Sequence, residues 1–308
     1  MATRSNNLMV ILAFLAIYII WGSTYMLNKI AVAEIAPFLL AGIRFTIAGL
    51  LIFVLAKLMG HSLKITKKQL VNTIIAGFLF LTFGNGLAVW ALQYVDSSFV
   101  ALEISAQPLI VLLMMWALQG KKISSMSLIG IALGIAGIFI LASQNELVTS
   151  EGALIGFFVV LLAMLSWAYG SLFVGKADLP QNYFINTGYQ MLVGGLMLFI
   201  ASFALQEPIS APENWSGKVV FSVVALIIFG SIIAFTSFNF LLTKVSPEKV
   251  ATNTYINPIV AIILGWYFLD EKITGTTIIA AIVLLTGVFF INSGKTLKLP
   301  KKSRRRWV

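Results

Sequence analysis

The chain has 308 residues, 59% of them hydrophobic and 10% charged, with a mean hydropathy of +0.98. Soluble domains carry charge on about a quarter of their residues, so this composition describes an integral membrane protein, and the net charge of +10 belongs to membrane topology rather than to a nucleic-acid partner. No Cys occurs, which excludes a disulfide framework and thiolate metal ligation.

Taken in chain order, the N-terminal segment carries Arg4 and then apolar residues, in the manner of a secretory signal. It runs on through IIWGSTYMLNKIA with no small-residue cleavage site, so it is expected to be a retained first helix. Apolar runs of membrane-crossing length, about 17–25 residues, follow one another at 8–31, 38–58, 71–92, 97–118, 126–142, 153–174, 185–205, 218–241, 247–268 and 275–292. None alternates with the period of two of a lipid-facing barrel strand, so ten transmembrane helices are predicted.

With the N-terminus in the cytoplasm, 17 Lys and Arg residues fall on the inside and only Lys29, Lys218 and Lys272 on the outside. Eight acidic residues, Glu34, Asp96, Glu146, Glu151, Glu207, Glu213, Asp270 and Glu271, fall on the outside. The asymmetry places both termini in the cytoplasm, and an even number of spans agrees. The basic tail 295–308 reads as a topology lock, with docking to anionic lipid headgroups as the alternative.

The chain repeats itself. Trp21 matches Trp167, Gly49-Leu50 matches Gly195-Leu196 and Phe83-Gly84 matches Phe229-Gly230, all at an offset of 146. At an offset of 150, VALEISAQP (100–108) lies on VATNTYINP (250–258), Trp116 on Trp266 and Gly137 on Gly287. The expected organisation is a first five-helix repeat at 1–148, a second at 149–294 and the tail. Because five is odd, the second repeat enters the membrane upside down, the architecture of many secondary transporters.

Polar residues repeat too. Glu103 corresponds to Asn253 and Gln107 to Asn257, each pair spaced i, i+4 and so on one helix face. Pro108 and Pro258 follow directly, and each frees a carbonyl one turn earlier, so a local break beside a central cavity is expected at both. Packing by interhelical amide bonds is the plainer explanation for a single amide, but the repeated pair with its proline favours the cavity.

Arg44 and Glu103 are the only charges well inside the spans, at similar depth from the outer side. A charge at a helix centre costs about 2.5–3.5 kcal/mol, so both should face protein or water. Two roles remain open: a static pair closing the outer side, or a protonatable Glu103 coupled to substrate movement. Asn85 in GNG (84–86) is a ligand candidate, with GSIIAF (230–235) as its repeat partner. Trp21, Tyr25, Trp90, Trp167, Tyr169 and Tyr255 are aromatic candidates for a pocket taking apolar or cationic solutes. GIALGIAG (130–137) contains a GxxxG pattern, expected to pack helix five within the protomer; a homodimer stays open.

These residues resemble the EamA family of the drug/metabolite transporter superfamily. The matching pieces are IIWGSTY (19–25), GIRF (42–45), FGNG (83–86), SWAYGS (166–171), FGSIIAF (229–235), VSPEKVATNTYINPIVAIILGW (245–266) and the acidic turn DEKIT (270–274). The first half departs from the acidic turn, reading GKKIS at 120–124. The resemblance implies a ten-helix inner-membrane carrier, often an exporter of amino acids, other metabolites or drugs, with helices one, three, four and their counterparts lining the pathway.

No cofactor and no metal are expected; the partners are a small-molecule substrate and the bilayer. An enzyme would need a nucleophile with a base, or a metal cluster, at membrane depth. The only histidine, His61, lies in a loop among lysines, and no Walker motif occurs. A facilitative channel or uniporter and a lipid scramblase are the remaining alternatives.

Overall fold

The computed structural model describes residues 2–143, 152–245, 250 and 252–293, the side chains of 2–7 excepted. The expected repeat boundary near 148, Glu146, Glu151, Lys249, the Arg4 side chain and the tail 295–308 lie outside the described residues.

Ten helices follow: α1 Leu8–Ala31, α2 Pro37–Leu58, α3 Lys67–Ala91, α4 Ser97–Gln119, α5 Ser125–Ala142, α6 Ala153–Val174, α7 Tyr183–Ala204, α8 Gly217–Lys244, α9 Asn253–Leu269 and α10 Gly275–Ser293. Among the described residues nine are long and apolar enough to cross a membrane, and α9 is shorter. The ten predicted spans are thus present, with shifted ends. α3 begins at Lys67, ahead of the apolar run, because Thr66 and Gln69 form a reciprocal capping box that satisfies two N-terminal donors. Large apolar side chains such as Phe139, Phe158, Ile282 and Phe289 are exposed on the outer surface, where lipid replaces water as the solvent.

The two halves pack by pseudo-twofold symmetry. α2 lies along α7 and α5 along α10, the second and fifth helices of each repeat. A Cβ added at Gly49 would stand 2.6 Å from Leu192 N, and one at Gly195 would stand 2.5 Å from Thr46 N. Gly49 and Gly195, like Thr46 and Leu192, are related by the offset of 146, so these are one contact seen from both sides of the axis. The second pair behaves alike: a Cβ at Gly137 would lie 2.6 Å from Leu284, and one at Gly287 2.8 Å from Gly134 N. Both partnerships follow the offset of 150. Such reciprocity is what an inverted repeat requires. Gly130 likewise meets the Gly287 carbonyl, 2.6 Å from an added Cβ, so the GxxxG stripe packs inside the protomer.

Among the described residues three helices carry π turns: Ala16–Ile20 in α1, Phe78–Asn85 in α3 and Leu226–Ile233 in α8. The last two contain the repeated Phe83-Gly84 and Phe229-Gly230. A π turn widens the helix and loosens its bond ladder, often at functional positions. α4 breaks as predicted, into Ser97–Ile104 and Gln107–Gln119. α9 does not break: Asn253–Leu269 is continuous with Pro258 inside it. The helical backbone is interrupted ahead of the proline instead, where Thr252 forms a turn after the helical Val250.

Gly49→Ala is expected to cost about 1–3 kcal/mol through overpacking and to lower Tm in detergent. Gly217→Ala, whose added Cβ meets nothing within 4 Å, should leave Tm nearly unchanged.

Candidate substrate pathway

α1, α3, α4, α6, α8 and α9 surround a cavity of about 680 Å³, with contributions from α2, α5 and α10. That size suits a drug-sized or smaller solute. At one membrane face the lining includes Lys121, Lys122 and Gly175, of which Lys122 and Gly175 are exposed. Toward the other face the lining stops at Asn28, Arg44 and Leu92, all buried. The cavity is therefore open on one side and blind on the other.

Trp21 and Trp167 meet in its wall at 6.3 Å with ring planes at 87°, and Phe238 lies 5.2 Å from Trp21. The π turns help to position them. Trp21 Nε1 donates to the Gly230 carbonyl at 3.2 Å, and Ser166 Oγ donates to the Leu79 carbonyl at 2.7 Å. With its amide nitrogen turned toward α1, Asn257 donates to the carbonyls of Ile17 and Tyr18 at 3.0 and 2.9 Å, within the π turn of α1. Gln107 Nε2 donates to the Met164 carbonyl at 3.0 Å. Asn85 Oδ1 is buried without a hydrogen-bond partner.

Carboxylates and a lysine hold the blind end closed. Glu271 accepts from the backbone of Ser97 at 2.8 Å, the backbone of Ser98 at 3.0 Å and the Ser97 hydroxyl at 2.7 Å, so it caps α4. Glu207 accepts from Phe38 N and Leu39 N at 3.1 and 2.9 Å, capping α2. Each carboxylate fills the donors that a helix N-terminus leaves open and meets its positive end. Lys29 Nζ donates to the Leu92 and Val95 carbonyls at 2.7 and 2.8 Å, tying α1 to the end of α3. Glu34 accepts from Ser216 N at 2.7 Å, and that hydrogen bond holds its carboxyl below the ordinary value. The Glu34 contact is therefore complete above the ordinary carboxylate range and is lost as pH falls through the lowered value.

The sequence profile of the EamA-like transporter family matches twice, at residues 8–143 and 154–293. The chain belongs to the EamA-like transporter family. It is 35% identical to the uncharacterized inner membrane transporter YedA of Escherichia coli (strain K12), over 92% of this chain and 91% of that protein. It is 25% identical to the uncharacterized transporter YoaV of Bacillus subtilis (strain 168), over 91% of this chain and 95% of that protein. A solved crystal structure matches with a TM-score of 0.66 at 18% identity, covering 91% of this chain and 95% of that one, which shows the shared fold.

In this EamA-like transporter, Trp21, Tyr25, Arg44, Asn85, Gln107, Trp167, Asn253 and Asn257 all line the cavity. Four expected site residues do not. Tyr169 is half exposed on the outer surface, since it lies two residues from Trp167 and so on the opposite helix face. Trp90 packs against Tyr94, ring centroids 4.8 Å apart and planes tilted by 49°, and lines a more open depression with Glu34 and Glu207. Tyr255 donates to the Val288 carbonyl and accepts from Asn292, joining α9 to α10. Glu103 is fully buried in the wall, and neither carboxylate oxygen has a hydrogen-bond partner.

Arg44 and Glu103 do not pair. Arg44 Nε instead donates to Ser231 Oγ at 2.8 Å, and its Nη1 lies 3.5 Å from Asn28 Oδ1. Asn28 and Ser231 were not among the expected site residues, although both carried a signal. Asn28 continues the Trp21, Tyr25 stripe at i+7, and Ser231 is the repeat partner of Asn85.

Because the chain has no Cys, introduced thiols report access cleanly. Ser171→Cys, on the cavity lining, should react with a membrane-impermeant maleimide from the face carrying Lys121 and Lys122. Ser98→Cys, behind the Glu271 cap, should stay unlabelled from either face.

Proposed function

We propose that this protein is a secondary transporter that exports a small metabolite, such as an amino acid, or a drug across a bacterial inner membrane by alternating access. The observation that carries the reading is the one-sided cavity, blind at the Glu271 and Lys29 contacts and open at Lys121 and Lys122. The open face is the cytoplasmic one, with both termini on it, as the Lys and Arg distribution requires. A solute enters from the cytoplasm, and the halves 1–148 and 149–294 then rock about the axis that relates them, exposing the same site outside. The name of the YedA relative supports the inner membrane.

Glu103 is the coupling group in this proposal. A buried charge without a partner is costly, so the packing around Glu103 accommodates the neutral acid. Rearrangement of α4 toward the outward-open state would give the carboxyl water and release its proton. The closed outer end speaks against a continuous pore, the reading that a facilitative channel would need.

Proteoliposomes test the scheme. Radiolabelled amino acids and other metabolites should show saturable flux, acceleration by substrate on the opposite side, and dependence on an imposed pH gradient that Glu103→Gln removes. Flux that never saturates would point to a pore. Saturable flux indifferent to the gradient would remove the coupling role of Glu103 alone. Glu271→Gln, which weakens charge-assisted bonds worth about 1.5–3 kcal/mol, should raise labelling of Ser98→Cys from the outside by roughly tenfold or more.

A further inference from the structure

Among the described residues the charged side chains lining the cavity are all cations: Arg44 at the blind end, Lys121 and Lys122 at the mouth. Arg44 is 3% exposed. A guanidinium offers five N–H donors in a planar fork that matches a carboxylate. Arg44 directs one of them at Ser231 Oγ and another, at the distance limit, toward Asn28. Among the described residues no carboxylate pairs with it. A buried cation is costly without a counter-ion, so this site is electrostatically incomplete as the protein stands.

The helix packing does not itself require a charge there. At the repeat-equivalent position on α7 stands Gln190, a neutral amide only 1% exposed. Arg44 is thus an addition to the shared architecture, placed where it faces the cavity.

What lies beside Arg44 defines the rest of the ligand. A Cβ added at Gly230 would stand 3.0 Å from Arg44 Nη2, and the Gly230 carbonyl holds the Trp21 indole at 3.2 Å. The guanidinium therefore adjoins the aromatic wall, where Phe235 lies 6.3 Å and Phe238 5.2 Å from Trp21, with Trp167 edge-on. Among the described residues no acidic side chain lines the cavity, so a solute ammonium would find no counter-charge among them. The two lysines at the mouth draw anions inward.

We propose that the cavity recognises an organic monocarboxylate with a ring-sized apolar body, its carboxylate forked on Arg44 and its ring held among Trp21, Trp167, Phe235 and Phe238. This rests on the transporter reading and narrows its cargo from amino acids and drugs at large to ring-bearing carboxylates without an ammonium group. A phosphate ester would call for more than one cation at the blind end, where Arg44 stands alone among the lining residues.

The test uses the purified full chain in detergent and ligands sharing one skeleton: 3-phenylpropionate, 3-phenylpropanamide and 3-phenylpropylamine, with phenyl phosphate as a fourth. Isothermal titration and the ligand-induced rise in Tm read binding without any need for transport. The acid is expected to bind at least about tenfold more tightly than the amide, the amine or the phosphate, the scale of a charge-assisted bond. Arg44→Gln should erase the preference for acid over amide, while Arg44→Lys should retain part of it. Equal binding of acid and amide by the wild type, tighter binding of the phosphate or the amine, or unchanged acid preference in Arg44→Gln would each overturn the assignment. Should Arg44→Gln not fold, the wild-type series decides by itself. Flux measurements separate the two claims: Arg44-dependent binding of an acid that never crosses the bilayer sinks the carrier and keeps the site, whereas saturable flux of cations or neutral solutes does the reverse.

Discussion

Inside the hydrocarbon of a bilayer no water is at hand to satisfy a backbone N–H or C=O, so every departure from a regular helix needs a partner within the protein. The irregular features of this structure can be read from that constraint. The π turns of α1, α3 and α8 are tolerated because Asn257, Ser166 and Trp21 reach carbonyls within them. Trp21 and Asn257 thereby become fixed parts of the cavity wall. Structural satisfaction and the shaping of the pathway are one set of contacts.

The inverted repeat supplies symmetry in packing and withholds it in chemistry. The glycine contacts of α2 with α7 and of α5 with α10 are reciprocal, as expected of two halves built on one plan. Yet Glu271, which caps α4 at the closed end, has Lys121 as its repeat partner, and Arg44 has Gln190. A lysine has no acceptor to offer a helix N-terminus. Among the described residues the cap at one end thus has no carboxylate counterpart at the other, which accords with a cavity that is shut on one side and open on the other. Three of the eight acidic residues assigned to outer loops by charge counting bond backbone donors in this way, Glu271 on α4, Glu207 on α2 and Glu34 at Ser216.

Polar residues in the spans fall into two groups. Asn257, Gln107 and Tyr255 are engaged with backbone carbonyls or neighbouring amides and hold helices together. Arg44, Asn85 and Glu103 carry donors or acceptors that the protein leaves unmet. Arg44 and Asn85 face the cavity, while Glu103 is sealed behind it. Cation and acid thus stand in separate places rather than as one ion pair.

Ten helices, two repeats and eight of the cavity-lining residues were legible in the sequence, because hydropathy and an offset of about half the chain survive without coordinates. Trp21, Arg44, Asn85, Gln107 and Asn257 could be selected for depth and repetition. Direction was another matter. Trp167 and Tyr169 are two residues apart at almost the same depth, and only helix rotation sends one inward and the other to the surface. The caps of α2 and α4 by Glu207 and Glu271 join residues more than 150 positions apart, and no local pattern announces them. Composition and internal repetition determine how many times this chain crosses and how its halves correspond. Which polar groups meet, which stay unpaired and which end is shut depend on the azimuth of each helix against its neighbours, and packing alone decides that.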